Sequence, residues 1–145
     1  MGLTRGNQHD AYGKRLLNGL LGNRYQATGV GTTVALARGS IQLDGIIDSK
    51  CAVEIEARNQ NQVQVAIPHL LIHPAPLKLL VLIAVNLNNP EATAADLRYL
   101  LARLKSPDDA IAVVLLEGNG DNPKDVEDVN RLRDGLYGLG VRAES

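Results

Sequence analysis

The chain has 145 residues, of which 45% are hydrophobic and 21% are charged, with 15 basic against 16 acidic side chains. This length predicts a single domain, residues 1–145, that can bury a core. A net charge of −1 gives no overall basic footprint for nucleic-acid binding, although the local distribution of charge decides that question. The single cysteine, Cys51, excludes an internal disulfide, favours a reducing compartment and is interpreted as a small buried hydrophobe.

The sequence predicts no membrane association. Its longest strongly apolar run, Leu79 to Val85, is far shorter than the roughly 20 residues that a spanning helix needs. No apolar segment with a cleavage site stands near the N-terminus, so no secretion signal is indicated. We therefore expect a cytoplasmic protein without a membrane partner.

The first predicted element is a helix from Gln8 to Leu21, preceded by a polar stretch, residues 1–7, that we expect to form a loose arm or an ordered edge. Gly22 follows the helix and is typical of a C-cap. His9 and Asp10 fall in the first turn, where an acid favours the helix dipole, so we interpret both as capping or solvated residues. The apolar stripe of this helix consists of Tyr12, Leu16, Leu17, Leu20 and Leu21.

Two strands joined by a turn are predicted from Ile41 to Arg58. A glycine-containing loop, residues 23–33, and a short strand, Val34–Leu36, precede them. The first of the two strands places Gln42, Asp44, Ile46 and Asp48 on one face. The second places Cys51, Val53, Ile55 and Ala57 on one face and Ala52, Glu54, Glu56 and Arg58 on the other.

The second half of the chain alternates predicted helices with apolar strands. A helix from Gln60 to Ile72 contains Pro68, which indicates a kink or two short pieces, because an interior proline removes a hydrogen bond. Asn89 and Pro90 are typical of a helix N-cap and its first position. The other predicted elements are a buried strand Leu77–Val85, a helix carrying Leu97, Leu100, Leu101 and Leu104, a buried strand Ala110–Leu116, and a last helix with a stripe of Val126, Val129, Leu132, Arg133 and Leu136.

The order of these elements predicts the fold class. Helix and hairpin strands come first, and strand–helix–strand crossings follow. This pattern indicates an α/β protein with a mixed sheet and helices on both sides.

Three acidic side chains in this pattern indicate a cation site. Glu54 and Glu56 lie two residues apart on one strand face, about 6.6 Å from each other, and Asp44 on the neighbouring strand can point toward them. The surrounding apolar residues lower the local dielectric, so the carboxylates repel each other unless a positive charge joins them. A divalent cation with oxygen ligands meets this need.

The αβββαβ order, with an acid on the second strand and Glu-x-Glu on the third, resembles the PD-(D/E)xK nuclease superfamily. The resemblance covers roughly residues 8 to 85. Asp44, in the segment LDG, stands at the first acid of the motif, Glu54 at the second, and Glu56 where most members have lysine. A glutamate at that place is similar to a subclass of type II restriction endonucleases.

This resemblance implies a restriction-endonuclease-like fold and a DNA endonuclease that depends on Mg²⁺ or Mn²⁺. It implies that Asp44 and Glu54 bind the metal, with the backbone carbonyl of Ile55 as a further ligand, and that Glu56 orients or deprotonates the attacking water. Cutting both DNA strands with one site per chain implies a homodimer or a higher homo-oligomer. Lys50 is an alternative source of the missing lysine charge.

Candidate DNA-binding residues flank the acids. Arg38 precedes the first of the two strands, and Arg58 ends the second. Gln62 and Gln64 follow, and amide side chains can bind either phosphate or a metal-bound water. Further candidate phosphate contacts are Lys14, Arg15 and Arg24.

Several alternatives stay open. Glu56 can pair with Arg58 or a lysine, and the chain can be a nuclease-fold binding or interaction module without catalysis, which the missing lysine and the neutral charge favour. His69 and His73 are four residues apart and can form a metal-binding pair, although surface or capping roles are commoner. The glycine-containing GVG and GNG loops are weak signals of a nucleotide-binding α/β protein.

Overall fold

The computed structural model describes residues 5–29, 31–59 and 61–143. A five-stranded mixed sheet lies at its centre, in the order β1-β4-β5-β6-β7, and a separate two-stranded sheet pairs β2 with β3. The elements are α1 (Arg5–Leu21), β1 (Tyr25–Gln26), β2 (Thr33–Ala35), β3 (Ser40–Gln42), β4 (Gly45–Ile47), β5 (Cys51–Glu56), α2 (Ala66–Ile72), β6 (Leu77–Ile83), α3 (Pro90–Leu104), β7 (Ala110–Leu116) and α4 (Asp125–Gly138).

The predicted α/β class with a mixed sheet is confirmed. Strands β1, β4 and β5 are antiparallel neighbours, whereas β5, β6 and β7 are parallel. The parallel strands are connected through α2 and α3, which cover one face of the sheet, while α1 and α4 cover the other face. That covering explains why β6 is apolar from Leu79 to Ile83, and the strand is buried from Lys78 to Ile83.

Strand β5 divides the core into two halves, as its alternating pattern predicts. Cys51, Val53 and Ile55 pack against α1 and α4 on one face. Ala52 lies on the other face and packs against α2 and α3. Glu54 and Glu56 lie on this same face as Ala52. Cys51 is fully buried, which raises the pKa of its thiol to about 12, so it is the inert hydrophobe that its place on the strand predicts.

The single strand predicted from Ile41 to Asp48 is wrong, because the chain breaks it in two. Its first part becomes β3, which pairs with β2 outside the main sheet, and its second part becomes β4, which begins at Gly45. The Tyr25 ring of β1 lies so close to Gly45 that any Cβ there would collide with it. Strand β1 was not predicted, since two residues carry too little periodicity to be recognised.

Asp48 does not lie on the strand face that alternation predicts. Asp48 and Ser49 both have positive φ angles, 53° and 59°, which take them into the turn between β4 and β5. The Asp48 carboxylate accepts two hydrogen bonds from Arg24, of 2.9 and 2.8 Å. Arg24 is therefore the hydrogen-bonded partner of Asp48.

Two helix boundaries differ from the prediction. Helix α1 begins at Arg5 and not at Gln8, so only residues 1–4 of the expected arm lie outside the described residues. Helix α2 begins at Ala66, after a 3₁₀ turn at Val63–Val65, and the predicted start at Gln60 lies outside the described residues. Pro68 then falls in the first turn of α2, where its missing N–H costs no intrahelical bond.

The predicted start of α3 is confirmed, since the Asn89 side chain caps the helix by accepting a bond from the Ala92 N–H. In α4 the predicted stripe is only partly right. Leu132 and Leu136 are buried, but Val126 is 75% exposed. None of the helices in the described part of the chain combines the length and apolarity that crossing a membrane requires.

A buried carboxylate fastens α1 to α4. Asp128 is fully buried and accepts hydrogen bonds from the Tyr12 hydroxyl at 2.6 Å and from the N–H groups of Glu117 and Gly118 at 3.0 and 2.8 Å. Arg131 supplies a fourth bond of 3.0 Å, which balances the charge. The Tyr12 hydroxyl also accepts the Lys124 N–H, so one residue joins α1 to the start of α4.

Replacing Tyr12 by Phe tests this connection. The change leaves one lone pair of Asp128 and the Lys124 N–H without their partner, so we expect the free energy of unfolding to fall by about 1–3 kcal/mol. Tyr137→Phe, at a 69% exposed position of α4, is the matched control and should change it by less than about 0.5 kcal/mol. Urea denaturation of the three proteins measures both values, and equal stabilities would contradict the assigned role of Tyr12.

Candidate functional site

Four carboxylates gather at the end of β5, and we call them the carboxylate cluster: Asp10, Asp44, Glu54 and Glu56. They come from three parts of the chain. Asp10 lies on α1, Asp44 directly precedes β4, and the two glutamates lie on β5. Because Gly45 pairs with Val53, the same antiparallel register sets Asp44 opposite Glu54.

Asp44 and β5 are joined by reciprocal hydrogen bonds. The Asp44 N–H donates to Oε1 of Glu54 at 3.1 Å, and the Ile55 N–H donates to Oδ2 of Asp44 at 2.7 Å. Each acid is thus held by a backbone N–H of the other's strand. The structure therefore brings Asp44 and Glu54 together beside Ile55. The Ile55 N–H makes the contact, whereas its carbonyl is the group predicted to bind a metal.

Burial and mutual repulsion shift the protonation of this pair. Glu54 is 7% exposed, and burial, together with the negative charge of Asp44, raises its pKa from 4.5 to about 8. Burial also raises the pKa of Asp44, which the Ile55 N–H partly offsets. At neutral pH and without an added cation, the site therefore retains a proton that an exposed pair of acids would lose.

Glu56 is engaged by its neighbour on the strand. Arg58 donates from Nε and Nη2 to the two oxygens of Glu56, at 2.6 Å each, and its backbone N–H adds a bond of 2.9 Å. The carboxylate is 4% exposed. The alternative that Glu56 pairs with Arg58 is therefore confirmed in this state of the molecule.

Asp10 belongs to the carboxylate cluster, so its interpretation as a capping or solvated residue is wrong. Burial, with the charges of Asp44 and Glu56, raises its pKa to about 6. Gly13 explains why Asp10 reaches the cluster. A Cβ at Gly13 would lie 3.1 Å from the Ile55 side chain, so α1 passes close to β5 one turn after Asp10. A glycine inside a helix was the available signal, but it does not identify the strand that the helix approaches.

Three basic residues border the carboxylate cluster, and we call them the basic rim: Lys14, Arg58 and His69. The Lys14 ammonium lies 4.0 Å from Oδ1 of Asp44, and Nδ1 of His69 lies 3.6 Å from Oε2 of Glu54. Lys14 on α1 therefore places a positive charge beside the acids from one face of the sheet, and His69 on α2 places an imidazole beside them from the other face.

Other candidate residues lie elsewhere. Arg38 is exposed in the turn between β2 and β3, and Gln62 and Gln64 are exposed at the turn before α2. None of the three has a contact with the carboxylate cluster among the described interactions. Lys50 lies in the turn that precedes β5, at the opposite end of that strand from Glu56.

The two histidines do not form a pair. His73 follows α2 and is buried, with Nε2 2.5 Å from the Gly31 carbonyl and Nδ1 accepting the Ala75 N–H at 3.0 Å. It fastens the loop before β6, whereas His69 faces Glu54. Helical spacing failed here because α2 ends at Ile72.

Comparisons of this chain with protein-family models, with curated proteins and with solved structures found no match. The geometry of the carboxylate cluster and the chemistry of its side chains are therefore what bear on function.

The donor set of the cluster suits a hard divalent cation, because carboxylate and carbonyl oxygens are the ligands that such ions prefer. Burial first, and the charges of the neighbouring acids second, raise the pKa values of Asp10 and Glu54, so a bound cation would favour their charged forms. In their present arrangement, however, the described residues include no group of three or more His, Cys, Asp or Glu that could hold a metal ion. An ion would have to displace the partners that now occupy the oxygens, above all Arg58.

Glu54→Gln tests the electrostatics of the pair. The folded-state pKa of Glu54 is raised, so the folded protein holds the proton of this carboxyl group more tightly than the unfolded chain does. The stability that this proton contributes is complete below about pH 4.5 and is lost as the pH rises through about 8. With divalent ions chelated, we expect Glu54→Gln to match the wild type near pH 4.5 and to exceed its free energy of unfolding by about 1–3 kcal/mol near pH 8. Denaturation at several pH values measures this difference.

The matched control is Glu127→Gln, at an exposed position of α4, whose pH dependence should follow that of the wild type. A Glu54→Gln protein that is less stable than the wild type at every pH would contradict the raised pKa.

Arg58→Gln tests the competition for Glu56. Without the guanidinium, a metal ion no longer competes with Arg58 for the Glu56 carboxylate, so we expect Mn²⁺ to bind about three- to tenfold more tightly. Isothermal titration calorimetry measures the affinity. Arg38→Gln removes the same charge at the distant hairpin and should leave it unchanged, and equal effects of the two substitutions would exclude competition at Glu56.

Proposed function

We propose that this protein is a DNA endonuclease that hydrolyses phosphodiester bonds with the help of Mg²⁺ or Mn²⁺. The observation that carries the proposal is the convergence of four carboxylates from α1, β4 and β5 in a partly buried site bordered by positive charge. Buried acids that repel one another are costly to keep, and such clusters are commonest where chemistry needs them.

We also propose that the fold is restriction-endonuclease-like. In support, a helix precedes an antiparallel β4–β5 pair, and α2 then leads to a parallel strand, β6. The positions of the acids are a second support: Asp44 directly precedes β4, the second strand of the main sheet in chain order, and Glu54 and Glu56 lie on β5, the third. The strands β2 and β3 form an added hairpin in this interpretation.

The proposed mechanism assigns a role to each acid. A divalent ion would supply a Lewis acid for the phosphoryl oxygens and would increase the acidity of the attacking water. Asp44 and Glu54 would hold it together with the Ile55 carbonyl. Glu56, once released by Arg58, would orient the water and accept its proton, and Lys14 would neutralise charge on the phosphate.

Cutting both strands of a duplex calls for two such sites, and the described part of each chain contains one carboxylate cluster. We therefore propose a homodimer or a higher homo-oligomer as the form that makes double-strand breaks.

The second candidate function is a nuclease-fold module that binds DNA or protein without turnover. The observation that favours it is the double hydrogen bond between Arg58 and Glu56, which occupies the acid at the place where the motif has lysine. Metal binding separates the two candidates, because the module does not need it.

Incubation with supercoiled plasmid DNA in Mg²⁺ or Mn²⁺ tests the proposed activity. We expect the wild type to nick or linearise the plasmid, and Glu54→Gln and Asp44→Asn to reduce the rate by about 10²-fold or more, because each removes a charged ligand. Glu127→Gln should retain the wild-type rate. If the wild type leaves plasmid, linear and single-stranded DNA intact, and calorimetry detects no binding of either ion, the module is the better description.

A further inference from the structure

A groove runs between α1 and β1, and two of its lining residues, Lys14 and Tyr25, contact Asp44 of the carboxylate cluster. Its volume is about 460 Å³, and its lining residues are Ala11, Lys14, Arg15, Asn18, Tyr25 and Ala27. Lys14 belongs both to this groove and to the basic rim, where its ammonium lies 4.0 Å from Asp44. The Tyr25 hydroxyl donates to the Asp44 carbonyl at 2.8 Å, so the wall of the groove is bonded to the cluster itself.

The charge of the groove has one sign. The charged side chains that line the groove are Lys14 and Arg15, and both are cations. No carboxylate lines the groove. Arg15 is engaged by Asp125 at 2.6 and 3.1 Å, whereas Lys14 is 40% exposed. Lys14 is therefore the cation that remains most available to an anion.

Two other grooves of comparable size have mixed charge. The groove between α1 and α4 is lined by Asp125 as well as Arg133, and the groove at the free edge of β7 includes Glu91 and Asp134. Carboxylates in those walls would repel a polyanion. Among these three grooves, only the one between α1 and β1 offers an anion a cationic wall.

Helix α1 gives the groove a direction. Asp10, Lys14 and Asn18 are four residues apart and so lie along one face of the helix, with a rise of about 6 Å from each to the next. This face passes from an acid in the carboxylate cluster, through a cation, to an amide that can donate to a phosphate oxygen. A polyanion that approaches the acids along this face meets positive charge before negative charge.

We propose that this groove binds the DNA backbone beside the phosphate held at the carboxylate cluster, with Lys14 contacting the phosphate nearest the acids. The inference rests on the proposed function for the identity of the cluster's substrate. Without such a cation the four acids would repel the strand that the site has to receive. Ala11, Tyr25 and Ala27 leave the rest of the groove uncharged, so that it can accept a sugar–phosphate chain of any sequence.

A pair of matched substitutions tests the groove. Ala11→Glu adds a negative charge at an exposed groove residue of α1, and Ala102→Glu adds the same charge at an exposed residue of α3, on the other side of the sheet. Fluorescence anisotropy measures binding to a labelled duplex of about 30 base pairs, with Ca²⁺ replacing Mg²⁺. We expect Ala11→Glu to weaken binding about tenfold or more and Ala102→Glu less than about twofold.

The salt dependence gives a second readout. Lys14→Gln should reduce the slope of log affinity against log salt concentration by about one, because one phosphate contact is lost. Circular dichroism checks that each variant is folded, and Asn18→Asp replaces Ala11→Glu if that variant unfolds. An RNA duplex of the same length shows whether the groove prefers DNA, and stronger RNA binding would overturn the assignment to DNA.

The outcomes separate this inference from the proposed function. Equal effects of Ala11→Glu and Ala102→Glu overturn the groove, whether or not the protein cleaves DNA. A selective effect of Ala11→Glu without cleavage by the wild type supports the groove and contradicts the nuclease. If the wild type binds no DNA at low salt, both fail.

Discussion

The reciprocal hydrogen bonds between Asp44 and β5 are the constraint on which the site depends. The Asp44 N–H reaches Glu54, and the Ile55 N–H reaches the Asp44 carboxylate, so the two acids are held together by backbone groups and not by flexible side chains. The antiparallel register of β4 and β5 makes this possible, because it continues one residue beyond β4: the Asp44 N–H also donates to the Val53 carbonyl at 3.1 Å, which sets residue 44 opposite Glu54.

Burial and mutual repulsion make the charged forms of the acids in the carboxylate cluster unfavourable. Burial raises the pKa values of Asp10, Asp44 and Glu54, and the basic rim offsets only part of the repulsion. Arg58 compensates Glu56 most directly, with two charge-assisted bonds of 2.6 Å. Any metal ion bound at Glu56 would have to replace Arg58 there.

Structures remote from the acids keep this arrangement rigid. Asp128 joins α1, the end of β7 and α4 through four hydrogen bonds, and that junction fixes the helix that carries Asp10 and Lys14. Close packing of Gly13 on Ile55 then sets the distance between α1 and β5. The groove beside Lys14 follows from the same geometry, since β1 lies at the edge of the sheet next to this helix.

Local patterns in the sequence determined the elements that depend on periodicity and capping: the two faces of β5, the buried strands β6 and β7, and the start of α3 at Asn89. Alternation also placed Glu54 and Glu56 on one face. Only the tertiary structure decided which distant groups meet them, because Asp10, Lys14 and His69 approach through packing between elements, which no local spacing encodes. The same reason explains the missed strand β1, the split of the predicted strand at residue 44, and the pairing of Asp48 with Arg24: each depends on a partner far away in the chain.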